Sequence, residues 1–160
     1  MQKICVLCVG KLKERFFADA CAEYQKRLSR YCKLEIVELP EQRLGDAPSA
    51  AEIAQALERE AEAIRERMPK SGAAVALCVE GEAMSSERFS RTIADLAARG
   101  TSQLTFLIGG SFGLAGSVKQ SCALRLSLSP MTFPHHLARV LLLEQIYRAF
   151  QIEQGTKYHK

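Results

Sequence analysis

Short apolar segments alternate with segments of helical periodicity along almost the whole 160-residue chain. Each apolar segment is nearly continuous, which is typical of a strand buried on both faces of a parallel sheet. The predicted strands span 3–9, 34–39, 73–79, 104–108 and 124–128, and the predicted helices span 14–29, 49–67, 85–99, 114–122 and 134–154. Alternating strands and helices form βαβ units, so we predict one α/β domain over residues 1–160, a mostly parallel sheet flanked by helices.

Helix ends carry their own signals in two places. Ser49 and Glu52 form a capping box, which predicts the start of the second helix. Gly100 is predicted to end the third helix.

The composition is that of an ordinary globular protein, with 48% apolar and 25% charged residues. No apolar run approaches the ~20 residues that span a bilayer, and the first one, 4–9, is too short for a signal peptide. We therefore expect a cytoplasmic protein that is not bound to a membrane. The net charge of +4 arises in residues 81–160, which carry 9 basic and 5 acidic side chains, a mild indication of an anionic partner.

Six cysteines raise the question of a metal or disulfide framework. Cys5 and Cys8 form a C-x-x-C pair, but they lie in a predicted strand, where positions three apart point to opposite faces. No second pair and no histidine stands at zinc spacing. The prediction is free thiols in a reducing compartment and no bound metal.

Two predicted strands run into glycines, at 78–81 (CVEG) and 107–110 (LIGG). Ligands of open α/β sheets bind beyond the carboxyl ends of the strands, where glycine lets a ligand touch the backbone. The alternative is that these glycines serve turns with a positive φ. Neither the G-x-x-x-x-G-K-[ST] nor the G-x-G-x-x-G phosphate motif is present, and no acidic residue ends the next strand, so a nucleoside triphosphate and NAD are both disfavoured as ligands.

The loop LSLSPMTFPHH, 126–136, joins the last strand to the last helix. Its two prolines hold it in a fixed shape, and Thr132 is predicted to cap the helix that starts near Pro134. Apolar side chains at Leu128, Met131 and Phe133, with free backbone polar groups, suit a flat heteroaromatic such as adenine. A rigid connection without a ligand is the alternative.

The last helix is apolar around more than one face. A surface helix of a small domain needs only one apolar stripe, so the second side is predicted to be buried against the rest of the chain or another subunit, and we favour a homodimer. Glu144 and Arg148 are spaced i, i+4 and are interpreted as an ordinary helix pair.

Three features together resemble the SPOUT methyltransferases, and among them the ribosomal RNA large subunit methyltransferase H family: the turn LIGGSFGL, the segment LSLSPMTFPHHLARVLLLEQIYRA and the tail KYHK. The resemblance covers essentially the whole chain. It implies a SPOUT fold with a deep C-terminal trefoil knot, a homodimer, and S-adenosylmethionine as cofactor. It further implies methylation of N3 of a pseudouridine in 23S rRNA, within the assembled ribosome. The cofactor contacts that it implies are Leu77, Gly109, Leu128, Ser129, Pro130, Met131, Thr132 and Phe133.

The N3 proton must leave, so a general base or a hydrogen-bond donor would help the reaction. The candidates are His135 beside the cofactor loop, the tail residues Tyr158 and His159, which could come from the partner subunit, and Arg139, which could hold a phosphate or a base carbonyl. Their structural alternatives are a packed histidine at the helix start and a frayed tail.

Two other functions stay open at this point. One is a ribose 2′-O-methyltransferase that acts on tRNA with the same fold. The other is a ribosome-binding factor without catalytic activity.

Overall fold

The computed structural model describes residues 1–99 and 103–160. Its strands are β1 (Gln2–Val9), β2 (Cys32–Leu39), β3 (Ala73–Ala83), β4 (Gln103–Ile108) and β5 (Leu124–Ser127). Its helices are α1 (Arg15–Leu28), α2 (Ala50–Arg67), α3 (Ser86–Ala98), α4 (Gly116–Ser121) and α5 (His135–Glu153). The strands form one parallel sheet in the order β2-β1-β4-β3-β5, with helices on both faces, so the predicted architecture is confirmed.

The central strand β1 shows why the apolar runs form a buried sheet. Six consecutive residues from Ile4 to Val9 are buried, and neighbouring positions enter different cores. Cys8 packs into the core that contains α5, whereas Cys5 packs into the opposite core that contains α2. The prediction that these two thiols point to opposite faces is therefore confirmed, and all six cysteines are free.

The helix starts follow local side-chain chemistry. The Ser49 side chain accepts a hydrogen bond from the backbone N–H of Glu52, whose carboxylate accepts one from the backbone N–H of Ser49, so the predicted capping box is confirmed. Ser85 caps α3 in the same way through the backbone N–H of Arg88. The predicted stop at Gly100 lies outside the described residues.

The prediction that β3 ends at residue 79 is wrong, and so is the alternative that Gly81 serves a turn with a positive φ. Leu77 and Glu82 both pair with Leu126 of β5, so residues 78–81 are extra in the ladder and form a bulge inside a longer strand. A Cβ on Gly81 would lie 2.8 Å from the backbone of Arg125. This glycine therefore allows two strands to approach closely and does not form a turn.

Helix α5 is apolar on several sides because it packs on several partners. It lies against α1, α3 and β4, and its buried residues are Arg139, Leu142, Leu143, Ile146, Ala149, Phe150 and Gln151. Its apolar residues Leu137, Val140 and Leu141 are only half-buried in the single chain. Much of the apolar excess is therefore explained within one chain, and the predicted homodimer and the trefoil knot stay predictions. Among the described residues, no helix is both long and apolar enough to cross a membrane.

Candidate functional site

A cavity of about 290 Å³ lies where the β3 bulge, the segment after β4 and the segment after β5 meet. This is the carboxyl edge of a parallel sheet, where ligands of open α/β folds bind. Seven of the eight predicted cofactor residues line it, namely Leu77, Gly109, Leu128, Ser129, Met131, Thr132 and Phe133. Pro130 belongs to the same loop and is exposed, but it does not line the cavity. The structure thus brings the glycine turn and the proline loop together around one space.

The glycine turn, residues 109–113, is shaped by its own packing. The backbone N–H of Gly113 donates to the carbonyl of Gly110 at 3.0 Å, and Gly113 has a φ of +80°. A Cβ on Gly109 would lie 2.3 Å from the backbone carbon and oxygen of Gly113. Gly113 is therefore required for its positive φ and Gly109 for its close approach to Gly113, but neither Gly109 nor Gly110 has the positive φ that the turn alternative assumed.

The proline loop is held by serine side chains. The Ser127 hydroxyl donates to the carbonyl of Ser129 at 2.9 Å, and the Ser129 hydroxyl accepts from the backbone N–H of Met131 at 3.0 Å. Pro134 is the residue that precedes the first turn of α5, and no side chain caps that end, so the prediction that Thr132 caps the helix is wrong. The Met131 side chain is 73% exposed at the cavity, which leaves it free to contact a ligand or a partner.

His135 lines the cavity and is half-buried at the start of α5. Burial is the largest cause that lowers its pKa, and the neighbouring His136 and Arg139 lower it further, whereas Glu41 and Glu14 raise it. A lowered pKa keeps the imidazole neutral at neutral pH, which is the form that can accept a proton. His136 instead lies beside Glu14, with 3.4 Å between Nδ1 and Oε2.

Arg139 does not line the cavity. Its side chain is 3% exposed, and its guanidinium donates to Glu38 Oε2 at 2.8 Å and to the Gly10 carbonyl at 3.2 Å. The same Glu38 oxygen accepts from the backbone N–H of Leu12 at 3.2 Å. In this arrangement Arg139 joins α5 to the ends of β1 and β2, so its donors face the fold and not a bound phosphate.

The tail residues Tyr158 and His159 lie away from this cavity in the single chain. The Tyr158 hydroxyl donates to Glu144 Oε1 at 3.1 Å, and its ring stands edge-on to Tyr147. His159 lies 2.8 Å from Glu87 through Nε2 and 3.2 Å from Arg148 through Nδ1. The tail is therefore packed on α3 and α5 and is not frayed. The Glu144–Arg148 pair forms as predicted, at 2.5 Å, and also supports the tail.

Three charged residues at the site were not predicted from the sequence. Lys119 and Glu80 form a 2.5 Å ion pair on the cavity wall, and the hydrogen bond from Lys119 lowers the pKa of Glu80. Glu41, just after β2, accepts a 2.7 Å hydrogen bond from the backbone N–H of Ser111 in the glycine turn. No sequence signal marks this long-range contact. The described part of the chain has no cluster of three or more side chains suited to a metal ion.

Comparison with known proteins identifies the class to which this fold and cavity belong. The sequence model of the family described as predicted SPOUT methyltransferase matches residues 2–159, so the chain belongs to the SPOUT methyltransferase family. Two similar relatives, from Streptococcus equi subsp. zooepidemicus and Streptococcus gordonii, are each named ribosomal RNA large subunit methyltransferase H. They are 44% and 46% identical to this chain over 158 residues, which is 99% of each chain.

Among solved structures, the chain is similar to a probable methylase family protein from Haemophilus influenzae. The TM-score is 0.56 at 12% identity, with 97% of this chain and 67% of that one covered. A Legionella pneumophila protein solved with bound SAM has a TM-score of 0.51 at 14% identity, over 93% of this chain and 66% of that one. At this identity the likeness shows the fold alone.

Proposed function

We propose that this protein uses S-adenosylmethionine to methylate N3 of a pseudouridine in 23S rRNA of the assembled ribosome. The observation that carries the proposal is one cavity walled by the glycine turn and the proline loop, in a chain 44–46% identical to relatives named ribosomal RNA large subunit methyltransferase H. An enzyme acting on assembled ribosomes works in the cytoplasm.

The cavity is chemically suited to the cofactor. Apolar side chains such as Leu77, Leu128 and Phe133 line it beside exposed backbone of the glycine turn, a combination that holds a flat base and reads its edges by main-chain hydrogen bonds. The ion pair of Lys119 and Glu80 adds polar groups at the wall. Residues of the β3 bulge, the glycine turn and the proline loop would therefore hold the cofactor.

When bound, S-adenosylmethionine supplies a methyl group on a positively charged sulfur, already activated for transfer. The chain's task is then to align the acceptor nitrogen and to remove its proton. His135 is the titratable imidazole on the cavity wall, and its lowered pKa suits a proton acceptor. The packed tail of the same chain stays away from this space, so Tyr158 and His159 would reach a cavity only in a partner subunit of the proposed homodimer.

The proposed function is tested by transfer of a radiolabelled methyl group from S-adenosylmethionine. The acceptors are intact ribosomes, separated subunits and naked rRNA from a strain that lacks this gene. We expect label in large-subunit rRNA only with joined ribosomes, and mass spectrometry of the nucleoside places the methyl on the base. A methyl on ribose would favour the tRNA-type 2′-O activity, and ribosome binding without cofactor affinity would favour a non-catalytic factor.

Replacing His135 with alanine should reduce methyl transfer by about 10²-fold, because a positioned base contributes at least that much to a proton transfer. Cofactor affinity, measured by calorimetry, should stay near that of the wild type. His136→Ala is the matched control: His136 contacts the His135 ring and Glu14 but does not line the cavity, so methyl transfer should fall far less than in His135→Ala. An equal loss of cofactor affinity in His135→Ala would contradict the proposed role and indicate a structural one.

The thiol of Cys78 offers a test of cofactor binding that does not depend on activity. Cys78 is half-buried on the cavity wall, whereas the other five cysteines are buried. Burial raises the pKa of Cys5 to about 11 and of Cys8 to about 12, and it also raises the pKa of Cys78, so the exposure of the Cys78 thiol and not its pKa sets it apart. Iodoacetamide should therefore label Cys78 first, and saturating S-adenosylmethionine should slow that labelling. Peptide mass spectrometry measures both rates, and unchanged labelling with cofactor would argue against this cavity as its site.

A further inference from the structure

Glu41 connects the glycine turn to the loop that follows β2. Its Oε1 atom accepts the hydrogen bond from the backbone N–H of Ser111 at 2.7 Å. The carboxylate also occupies the place where a side chain of residue 110 would stand, because a Cβ on Gly110 would lie 2.5 Å from Oε1. One carboxylate thus holds the tip of the turn that walls the cavity.

The same carboxylate lies beside His135. A Cβ built on Gly10 would be 3.6 Å from Glu41 Oε2 and 3.3 Å from Cε1 of the His135 ring, so both groups flank one backbone position. Gly10 is itself fixed, with its N–H donating to the Leu39 carbonyl at 2.7 Å and its carbonyl accepting from Arg139. Its φ of +105° is a conformation that glycine adopts readily, and a Cβ at this position would press on the His135 ring at 3.3 Å.

We propose that Glu41 is a positioning residue of this site, which holds the glycine turn through Ser111 and presents its negative charge to His135 across Gly10. The proposal rests on the proposed methyl transfer. In that reaction the N3 proton passes to a ring nitrogen of His135, the N3 electron pair forms the bond to the methyl carbon, and the electron pair of the broken carbon–sulfur bond stays on sulfur. The charge of Glu41 then stabilises the imidazolium that forms.

Few charged groups around His135 could stabilise its imidazolium form. His136 on the same helix and Arg139 one turn later favour the neutral ring, as burial does. Two carboxylates oppose them, Glu41 from the loop after β2 and Glu14 at the start of α1, and Glu14 lies against His136. Glu41 is also the one that contacts the glycine turn. Glu41 is therefore the carboxylate that links the glycine turn on the cavity wall to His135.

Two substitutions separate the charge of Glu41 from its hydrogen bond. Glu41→Gln keeps an oxygen that accepts from Ser111 but removes the charge, and Glu41→Ala removes both. Asp46→Asn is the matched control, because Asp46 is an exposed carboxylate of the same loop. The first measurement is the NMR titration of the His135 ring in protein without cofactor.

We expect the His135 midpoint to move to lower pH in Glu41→Gln and in Glu41→Ala, since loss of a nearby anion disfavours the imidazolium, and to stay in place in Asp46→Asn. Cofactor affinity should stay near the wild-type value in Glu41→Gln and fall about tenfold in Glu41→Ala, which also frees the turn. In Glu41→Gln, kcat should fall about threefold to tenfold with little change in KM, and the acid limb of its pH profile should shift to lower pH.

The outcomes distinguish this inference from the proposed function. If wild-type protein transfers methyl groups but the His135 midpoint and the pH profile of Glu41→Gln match the wild type, Glu41 has no such role. If the wild type transfers no methyl group, the proposed function fails, whatever the titration shows. If cofactor affinity fell as much in Glu41→Gln as in Glu41→Ala, the claim that the hydrogen bond to Ser111, and not the charge, supports cofactor binding would be wrong.

Discussion

Replacing Arg139 with alanine is expected to lower the free energy of unfolding by about 3 kcal/mol, the lower end of the cost of breaking a buried ion pair. The guanidinium is 3% exposed and satisfies both Glu38 and the Gly10 carbonyl. Its removal takes the donor from the Gly10 carbonyl and the neutralising cation from Glu38, which keeps the hydrogen bond from the backbone N–H of Leu12. The Glu38 side chain is 34% exposed, so water replaces part of the lost interaction and the cost stays at the lower end. Urea denaturation followed by circular dichroism measures the change.

The control for this prediction is Arg15→Ala, which removes an i, i+4 pair with Asp19 whose side chains are both largely exposed. That variant should be indistinguishable from the wild type. In Arg139→Ala/Glu38→Leu the loss should be smaller than the sum of the two single losses, because no charge is then left without a partner. Strict additivity would show that the pair is not coupled.

Replacing Gly109 with alanine should abolish methyl transfer and lower the free energy of unfolding by about 2–3 kcal/mol, the upper part of the range found for overpacked positions. The added Cβ would stand 2.3 Å from the backbone of Gly113. Backbone atoms of a hydrogen-bonded turn cannot rotate away as a flexible side chain does, so the turn must move as a unit. Because this turn walls the cavity, cofactor affinity should fall by at least about tenfold. Calorimetry and urea denaturation measure the two effects.

Gly116→Ala is the matched control for the glycine turn. Nothing lies within 4 Å of a Cβ at that position, which is the first residue of α4. Alanine there should be neutral or stabilising by about 0.5 kcal/mol, through a smaller entropy loss on folding. If Gly109→Ala and Gly116→Ala had the same cofactor affinity and the same free energy of unfolding, the turn would not depend on the close packing of Gly109 against Gly113.

The two predictions concern Arg139 and the glycine turn, which are connected through the ends of β1 and β2. Arg139 fixes Gly10 and the end of β2, and Glu41, two residues after that strand, reaches the glycine turn. His135 stands one helical turn before Arg139 and faces the cavity. His135 and the glycine turn that walls the cavity are therefore supported by the same junction of β1, β2 and α5.

Much of the fold follows from local patterns. The five apolar runs became five strands because a continuous run of such residues has no solvent-facing side and must be covered on both faces. The opposite directions of Cys5 and Cys8 follow from the pleat alone. The length of β3 could not be read in the same way, since its last part depends on pairing with Leu126 and Ser127 of a strand far along the chain.

In the candidate site, too, some residues could be predicted from nearby sequence, whereas others depend on long-range contacts. The strand-end glycines and the apolar residues Leu128, Met131 and Phe133 could be singled out from the segments themselves, whereas Leu77, Ser129 and Thr132 were placed at the site only by the family resemblance. The contacts of Arg139 and Glu41 could not be predicted, because their partners lie 101 and 70 positions away in the chain. Side-chain type alone does not tell a buried anchor from an exposed phosphate contact, and burial decides between them.

By itself, therefore, the sequence determined the alternation of elements, the apolar faces and the bare backbone of the turn, since each arises from residues close together in the chain. The tertiary structure decided which charged side chains lie next to each other. It also decided that the carboxylate of Glu41 contacts the glycine turn at Ser111. It also decided that the tail, with Tyr158 and His159, packs on α3 and α5. These outcomes depend on distances between residues far apart in the chain, which only the packing of the whole fold sets.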